Sequence, residues 1–107
     1  MIGIGKWQGS VNTFMFKATG TAEIRDNNGE YEIIFDMPEK FNGTQIKYYD
    51  IKEVGNNTLT GKGEISLFPG KVAEGTFTFN GDKMTGTVKL PIMGGLEVTI
   101  KDGHKIG

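Results

Sequence analysis

Ala73-Glu74-Gly75-Thr76-Phe77-Thr78-Phe79-Asn80-Gly81-Asp82-Lys83-Met84-Thr85-Gly86-Thr87-Val88-Lys89-Leu90 is the stretch whose reading decides the fold. Ala73, Gly75, Phe77 and Phe79 alternate with Glu74, Thr76 and Thr78. Beyond Asn80-Gly81, Met84, Gly86, Val88 and Leu90 alternate with Thr85, Thr87 and Lys89. A period of two gives each run one dry face and one wet face, as in antiparallel sheet. Asn and Gly tolerate positive φ, so Asn80-Gly81 suits the primed turn of a tight hairpin.

The same pattern extends in both directions. Tyr31, Ile33, Phe35 and Met37 share a face with Glu32 and Asp36 opposite. Leu59, Gly61, Gly63, Ile65 and Leu67 alternate with Thr60, Lys62, Glu64 and Ser66, and Leu96, Val98 and Ile100 with Glu97, Thr99 and Lys101. Asp26-Asn27-Asn28-Gly29, Gly55-Asn56-Asn57 and Pro69-Gly70 read as turns. Pro38 to Gly43 and Pro91 to Gly95 read as longer connections. Strands are expected near 6–14, 17–25, 30–37, 44–54, 58–67, 72–79, 83–90 and 96–101. Residues 13–17 hold no turn residue, so the first two strands could be one long bent strand. The apolar phase switches between Ile46/Tyr48 and Tyr49/Ile51, which predicts a β-bulge near Tyr48-Tyr49. No stretch carries a 3.6-residue period, so no helix longer than a turn or two is expected. The fold class is therefore all-β, an antiparallel up-and-down barrel of seven to eight strands in a single domain, residues 1–107.

The predicted core comprises Ile33, Phe35, Leu59, Ile65, Phe77, Val88, Val98 and Ile100. Glu32, Lys62, Glu64, Thr76, Thr87, Glu97 and Thr99 are predicted to face solvent. Gly9, Gly20, Gly61, Gly63, Gly75 and Gly86 fall in phase with the dry face. Two readings compete for them: Gly lets strands coil tightly enough to close a small barrel, or the missing side chains leave room for a ligand. Closure is favoured, because the interior of an eight-stranded barrel is just wide enough for side chains to fill.

Twelve Lys and Arg against thirteen Asp and Glu leave a net charge of −1. That near balance argues against nucleic acid, whose phosphates select a basic face, and against a polybasic membrane contact. Cysteine is absent, which removes disulfides, thiolate metal sites and a Cys nucleophile. No apolar run approaches the roughly 18 residues of a membrane-spanning helix. No signal peptide is read at Met1 to Gly5, so either a cytoplasmic protein or a mature exported domain is expected.

Candidate chemistry is sparse. His104, the single histidine, is expected in a solvated tail after the last strand, and a metal site needs more ligands than that. Neither Ser10 nor Ser66 lies in a nucleophile turn that could recruit His104. Paired carboxylates could do acid–base work if one were buried: Glu30, Glu32 and Asp36 lie close together, as do Asp50 and Glu53, but Glu32 and Asp36 fall on the polar phase. Asp50 shares parity with Ile46 and Tyr48, and the bulge decides whether it points inward. Gly5-x-x-x-Gly9 and Gly61-x-Gly63 lack the Gly-Lys-Ser/Thr of a phosphate loop. Asn42-Gly43-Thr44 and Asn56-Asn57-Thr58 fit the glycosylation pattern and signify exposed turns.

Gly5-Lys6-Trp7 at the start of the first strand resembles the Gly-x-Trp opening of lipocalins and their calycin relatives. Gly75-Thr76-Phe77, Gly81-Asp82-Lys83-Met84, Val88 to Ile92, Met93-Gly94-Gly95 and Val98 follow at spacings similar to those of small bacterial calycin-like domains. The resemblance spans nearly the whole chain. It implies an antiparallel barrel with Trp7 plugging one end and a possible apolar cavity. It also implies a basic residue from a late strand over the Trp: Lys101 by position, then Lys89, since the sole Arg is Arg25. The lipocalin C-terminal helix and the fatty-acid-binding helical lid have no counterpart here.

The function expected is that of a non-catalytic barrel able to accept a small apolar ligand in its interior. Trp7, Phe35, Tyr48, Phe77 and Met84 would line that interior. No catalytic residue, metal or cofactor is expected. The alternative is a protein-interaction or structural module with a filled barrel; an enzyme is the least favoured class.

Overall fold

A computed structural model describes residues 1–13, 17–36, 46–66, 69–92 and 94–107. Met37, the connection from Pro38 to Gly43, Asn42-Gly43-Thr44, Leu67 and Met93 lie outside the described residues. Eight strands follow in order: β1 Gly5–Asn12, β2 Lys17–Asn27, β3 Glu30–Asp36, β4 Ile46–Glu53, β5 Thr58–Ile65, β6 Ala73–Asn80, β7 Lys83–Leu90 and β8 Leu96–Lys105. No helix occurs among the described residues. All pairings are antiparallel, and the order across the sheet is β3-β2-β1-β8-β7-β6-β5-β4. The sheet curls into a nearly closed up-and-down barrel. The first and last strands pair with each other, so the interval without a backbone ladder lies between β3 and β4.

Local chemistry accounts for the turns. Asn28 (φ 55°) and Gly29 (φ 89°) link β2 to β3 in the left-handed conformation that a type I′ turn requires. At the β6–β7 hairpin Asn80 pairs with Lys83, so the turn residues are Gly81 and Asp82. The tight turn predicted at Asn80-Gly81 is thus shifted by one position, with Gly81 at φ 61°. β1 and β2 are separate strands paired from Gly5↔Ile24 to Asn12↔Lys17, not one bent strand.

The bulge predicted near Tyr48-Tyr49 lies just beyond them. The β4–β5 register shifts between Tyr49 and Lys52, and Asp50 adopts φ 53°. The extra residue returns Ile51 to the inner face, where its Cδ1 covers Gly61. A second bulge, unforeseen, falls in β8, where Asp102 adopts φ 55°. It extends β8 beyond residue 101 to Lys105. His104 therefore lies within the strand, paired with Gln8 and Lys83, rather than in a tail. It remains exposed, and its Nδ1 lies 2.6 Å from the Asp102 carbonyl oxygen.

Among the described residues the core has two clusters. Trp7, Ile24, Leu59 and Phe79 are buried at one end, joined by Ile2, Tyr31, Ile33, Ile51, Phe77 and Met84. Trp7 is 4 % exposed and meets Phe79 at 4.9 Å between ring centroids, and its indole N–H donates to the Gly3 carbonyl at 2.9 Å. The segment ahead of β1 thus covers the Trp7 end. Ala73, Leu90 and Val98 form the second cluster, with Val11, Ile65, Val88, Ile92 and Leu96. Of the predicted core, Leu59 and Val98 are buried and Ile33, Ile65, Phe77, Val88 and Ile100 half-buried, while Phe35, though on the inner phase, is 39 % exposed at an edge where no described strand is laddered to it.

Of the in-phase glycines, Gly9, Gly61, Gly75 and Gly86 are covered by neighbouring side chains, whereas a Cβ on Gly63 would make only ordinary contacts with the Lys47 carbonyl oxygen and Ile46. A Cβ on Gly75 would lie 2.7 Å from the Phe77 ring, and one on Gly86 2.6 Å from the same ring. Ile100 covers Gly9 in the same way. One aromatic ring spread over two glycines fills the space their missing side chains leave.

The outer face is also ordered. Thr60, Thr76, Thr87 and Thr99 form a row across four strands, and Thr58, Thr78 and Thr85 a second row. Below them Lys62, Glu74, Lys89 and Glu97 alternate in sign. Glu32, Glu64 and Thr87 lie on the predicted outer side but are half-buried.

Candidate functional site: the seam between β3 and β4

Tyr31, Ile33 and Phe35 occupy the inner phase of β3, and Tyr48 that of β4, so their side chains converge where the two edges approach. The Ile33 N–H donates to the Tyr48 hydroxyl at 2.9 Å. The Phe35 and Tyr48 rings meet edge-on with centroids 6.3 Å apart. Nearer the Trp7 end, the Tyr31 hydroxyl donates to Glu53 Oε1 at 2.5 Å, and the Ile2 N–H lies 2.9 Å from the Tyr31 hydroxyl and 3.2 Å from that carboxylate oxygen. Side chains therefore close the seam where backbone does not.

A cleft of about 620 Å³ opens along the seam, lined by Met1, Gly29, Glu30, Tyr31, Tyr48, Tyr49, Asp50, Ile51 and Glu53. Its described lining side chains include three carboxylates and three phenols, with no Lys or Arg among them. Burial, and then the hydrogen bond to Glu53, push the Tyr31 phenol up to about 12. That same bond holds the Glu53 carboxyl below its ordinary range, so Glu53 is ionised at neutral pH. Asp50 points outward: it is exposed, with an oxygen 3.8 Å from the Lys62 ammonium. A smaller recess of about 330 Å³ lies by Ile46, Glu64, Ile65 and Pro69.

The five predicted interior residues divide between two places. Trp7, Phe77 and Met84 pack in the core cluster beneath the N-terminal segment. Phe35 and Tyr48 meet at the seam, and of the five only Tyr48 lines the cleft. Tyr49 was missed, and Glu53 was read only as a carboxylate close to Asp50, not as a partner of Tyr31. Glu53 pairs with buried Leu59 and so lies on the inner phase, a placement set by the bulge at Asp50. The lysine in register with Trp7 is Lys105, not Lys101, which pairs with Ser10, or Lys89, which pairs with Glu97. The Lys105 stem covers the place of a Gly5 side chain. Arg25 is engaged elsewhere, 2.8 Å from Glu23.

Among the described residues no three His, Cys, Asp or Glu side chains come together as a metal site. No helix among them is long and apolar enough to cross a membrane. No family model, no curated protein and no solved structure matches the chain.

Proposed function

We propose that this chain is a non-catalytic binding module in which a filled barrel serves as the frame and the β3–β4 seam as the recognition site. The reading is carried by a contrast in packing. Inner positions left bare by Gly9, Gly61, Gly75 and Gly86 are covered by Ile100, Ile51 and Phe77, whereas the seam keeps an open cleft of about 620 Å³ beside an unladdered strand edge. An edge strand offers a row of backbone donors and acceptors to an extended chain, and recognition by strand addition uses such a row. An apolar ligand inside the barrel would need the Phe77 ring to leave Gly75 and Gly86.

The test is an amide chemical-shift titration with a blocked, uncharged heptapeptide of alternating Thr and Val. Shifts centred on Tyr31, Ile33, Phe35 and Tyr48 are expected. Saturable binding of an apolar fluorophore, with shifts at the Trp7 indole and Met84 methyl and none along the seam, would favour the interior ligand instead.

A further inference from the structure

We infer that the partner of the seam is an extended polypeptide segment bearing Lys or Arg, added as a strand along the edge of β3 that no described strand covers. The inference rests on the seam reading above and adds the partner's chemistry. The two edges of the sheet are unlike. β4 carries the devices that blunt an edge: a bulge at Asp50 with φ 53°, and exposed Lys47 and Lys52. β3 has no bulge and no Lys, and its charges are the carboxylates of Glu30, Glu32 and Asp36. It runs Glu30-Tyr31-Glu32-Ile33-Ile34-Phe35-Asp36 with seven residues of regular pairing to β2, from Asn27↔Glu30 to Thr21↔Asp36. Ile34 and Phe35 are 43 % and 39 % exposed at that edge. One of its amides, the Ile33 N–H, already donates outward across the seam, to a side-chain hydroxyl.

Charge selects the occupant. Glu30, Glu32 and Asp36 make β3 acidic, and the cleft beside it adds Asp50 and Glu53 with no Lys or Arg among the described lining residues, the Met1 ammonium being the cation that acts on Glu53. In a chain with twelve basic and thirteen acidic residues, such segregation is local. Arg25, on the neighbouring strand, lies 3.8 Å from Glu32 and is already bonded to Glu23. A second copy of the chain is disfavoured, because antiparallel β3–β3 pairing about Ile33 would set Glu30 opposite Asp36, and like charges directly opposite destabilise a pair. A strand with Lys or Arg alternating with apolar residues instead sets its cations on the outer face beside those carboxylates and its apolar side chains on the inner face beside Ile33 and Phe35.

Three blocked heptapeptides test this: alternating Lys and Val, alternating Glu and Val, and the Lys–Val peptide N-methylated on alternate amides. The Lys–Val peptide is expected to bind with shifts along β3, weakening about tenfold between low and high salt as exposed charges are screened. The Glu–Val peptide is expected not to bind, and the N-methylated peptide to lose binding at equal charge. Exchange of Glu30 and Asp36 for Lys, both exposed, should reverse the preference toward the Glu–Val peptide. Equal binding of the two charged peptides along β3 overturns the charge inference and leaves the seam reading intact. Undiminished binding of the N-methylated peptide overturns strand addition. Absence of any seam shift with all three, and with the uncharged Thr–Val peptide, overturns the seam reading itself. Concentration-dependent dimerisation through β3 in sedimentation would replace the partner with a second copy.

Discussion

The Ile33 amide and the Tyr48 hydroxyl, 2.9 Å apart, form a hydrogen bond in which a side chain stands where a strand carbonyl would otherwise stand. Tyr48 crosses the interval that the backbone ladder leaves open. Tyr48→Phe removes the acceptor and keeps the ring against Phe35. The expected loss is about 0.5–1.5 kcal/mol in urea denaturation, the usual net worth of one such bond. Hydrogen exchange at the Ile33 amide should accelerate ahead of its neighbours in β3; an unchanged rate would show that the bond does not hold the seam.

Tyr31 and Glu53 give the same seam a pH window. A phenol raised to about 12 contributes stability that is complete below the unfolded value of 10.0 and is lost as pH climbs between the two. A carboxyl held below 4.5 contributes stability present above that value and lost as pH falls through its lower folded value. The melting-temperature difference between the wild type and Tyr31→Phe should therefore be greatest between those limits and shrink at both ends. A difference that is flat from acid to alkaline pH would contradict the bond.

Phe77 sets the tolerance of two glycines. Gly86→Ala should cost about 1–3 kcal/mol, as overpacking does in a filled interior. The ring blocks the new methyl group at 2.6 Å, with the Thr76 carbonyl oxygen at 3.2 Å on another side. In a Phe77→Leu background the same substitution should cost less, and a double-mutant cycle should return the coupling. Strict additivity would mean that the ring does not cover Gly86. Gly103→Ala should be tolerated in neither background, because its methyl would run into the Met84 carbonyl oxygen, which is backbone.

Trp7 provides an optical reading of the covered end. Buried against Phe79, it should emit at short wavelength and resist iodide quenching. Phe79→Ala should cost about 3–5 kcal/mol and shift the emission to the red. Emission already at the wavelength of free indole in the wild type would place Trp7 in water.

The barrel was legible because its signal is local. Alternation in Ala73–Leu90 fixes a face for each residue, and the phase switch after Tyr48 announced the β4 bulge. The seam was not legible, because alternation says which face a residue occupies and not which strand lies beside it. Phe35 has an inner-phase position and yet stays 39 % exposed, since among the described strands it has a neighbour on one side alone. Glu53 reads as polar and outward until the bulge turns it inward to Tyr31. The extension of β8 was hidden for a related reason: Asp102-Gly103 resembles a terminating turn, while in the fold it is a bulge within a continuing strand.

The outer rows of β5 to β8 bear on how the barrel finds a single alignment. Thr58-x-Thr60, Thr76-x-Thr78 and Thr85-x-Thr87 look nearly the same to one another, so on that face a strand could slide by two residues and still match Thr with Thr. The sign-alternating row of Lys62, Glu74, Lys89 and Glu97 breaks this degeneracy. A two-residue slide of β6 on β5 can set Glu74 against Glu64, turning an attractive pair into a repulsive one. Individually such exposed pairs contribute little to stability. Together they act as a key that tells one threonine strand from the next, so a chain built from near-repeats assembles in one order.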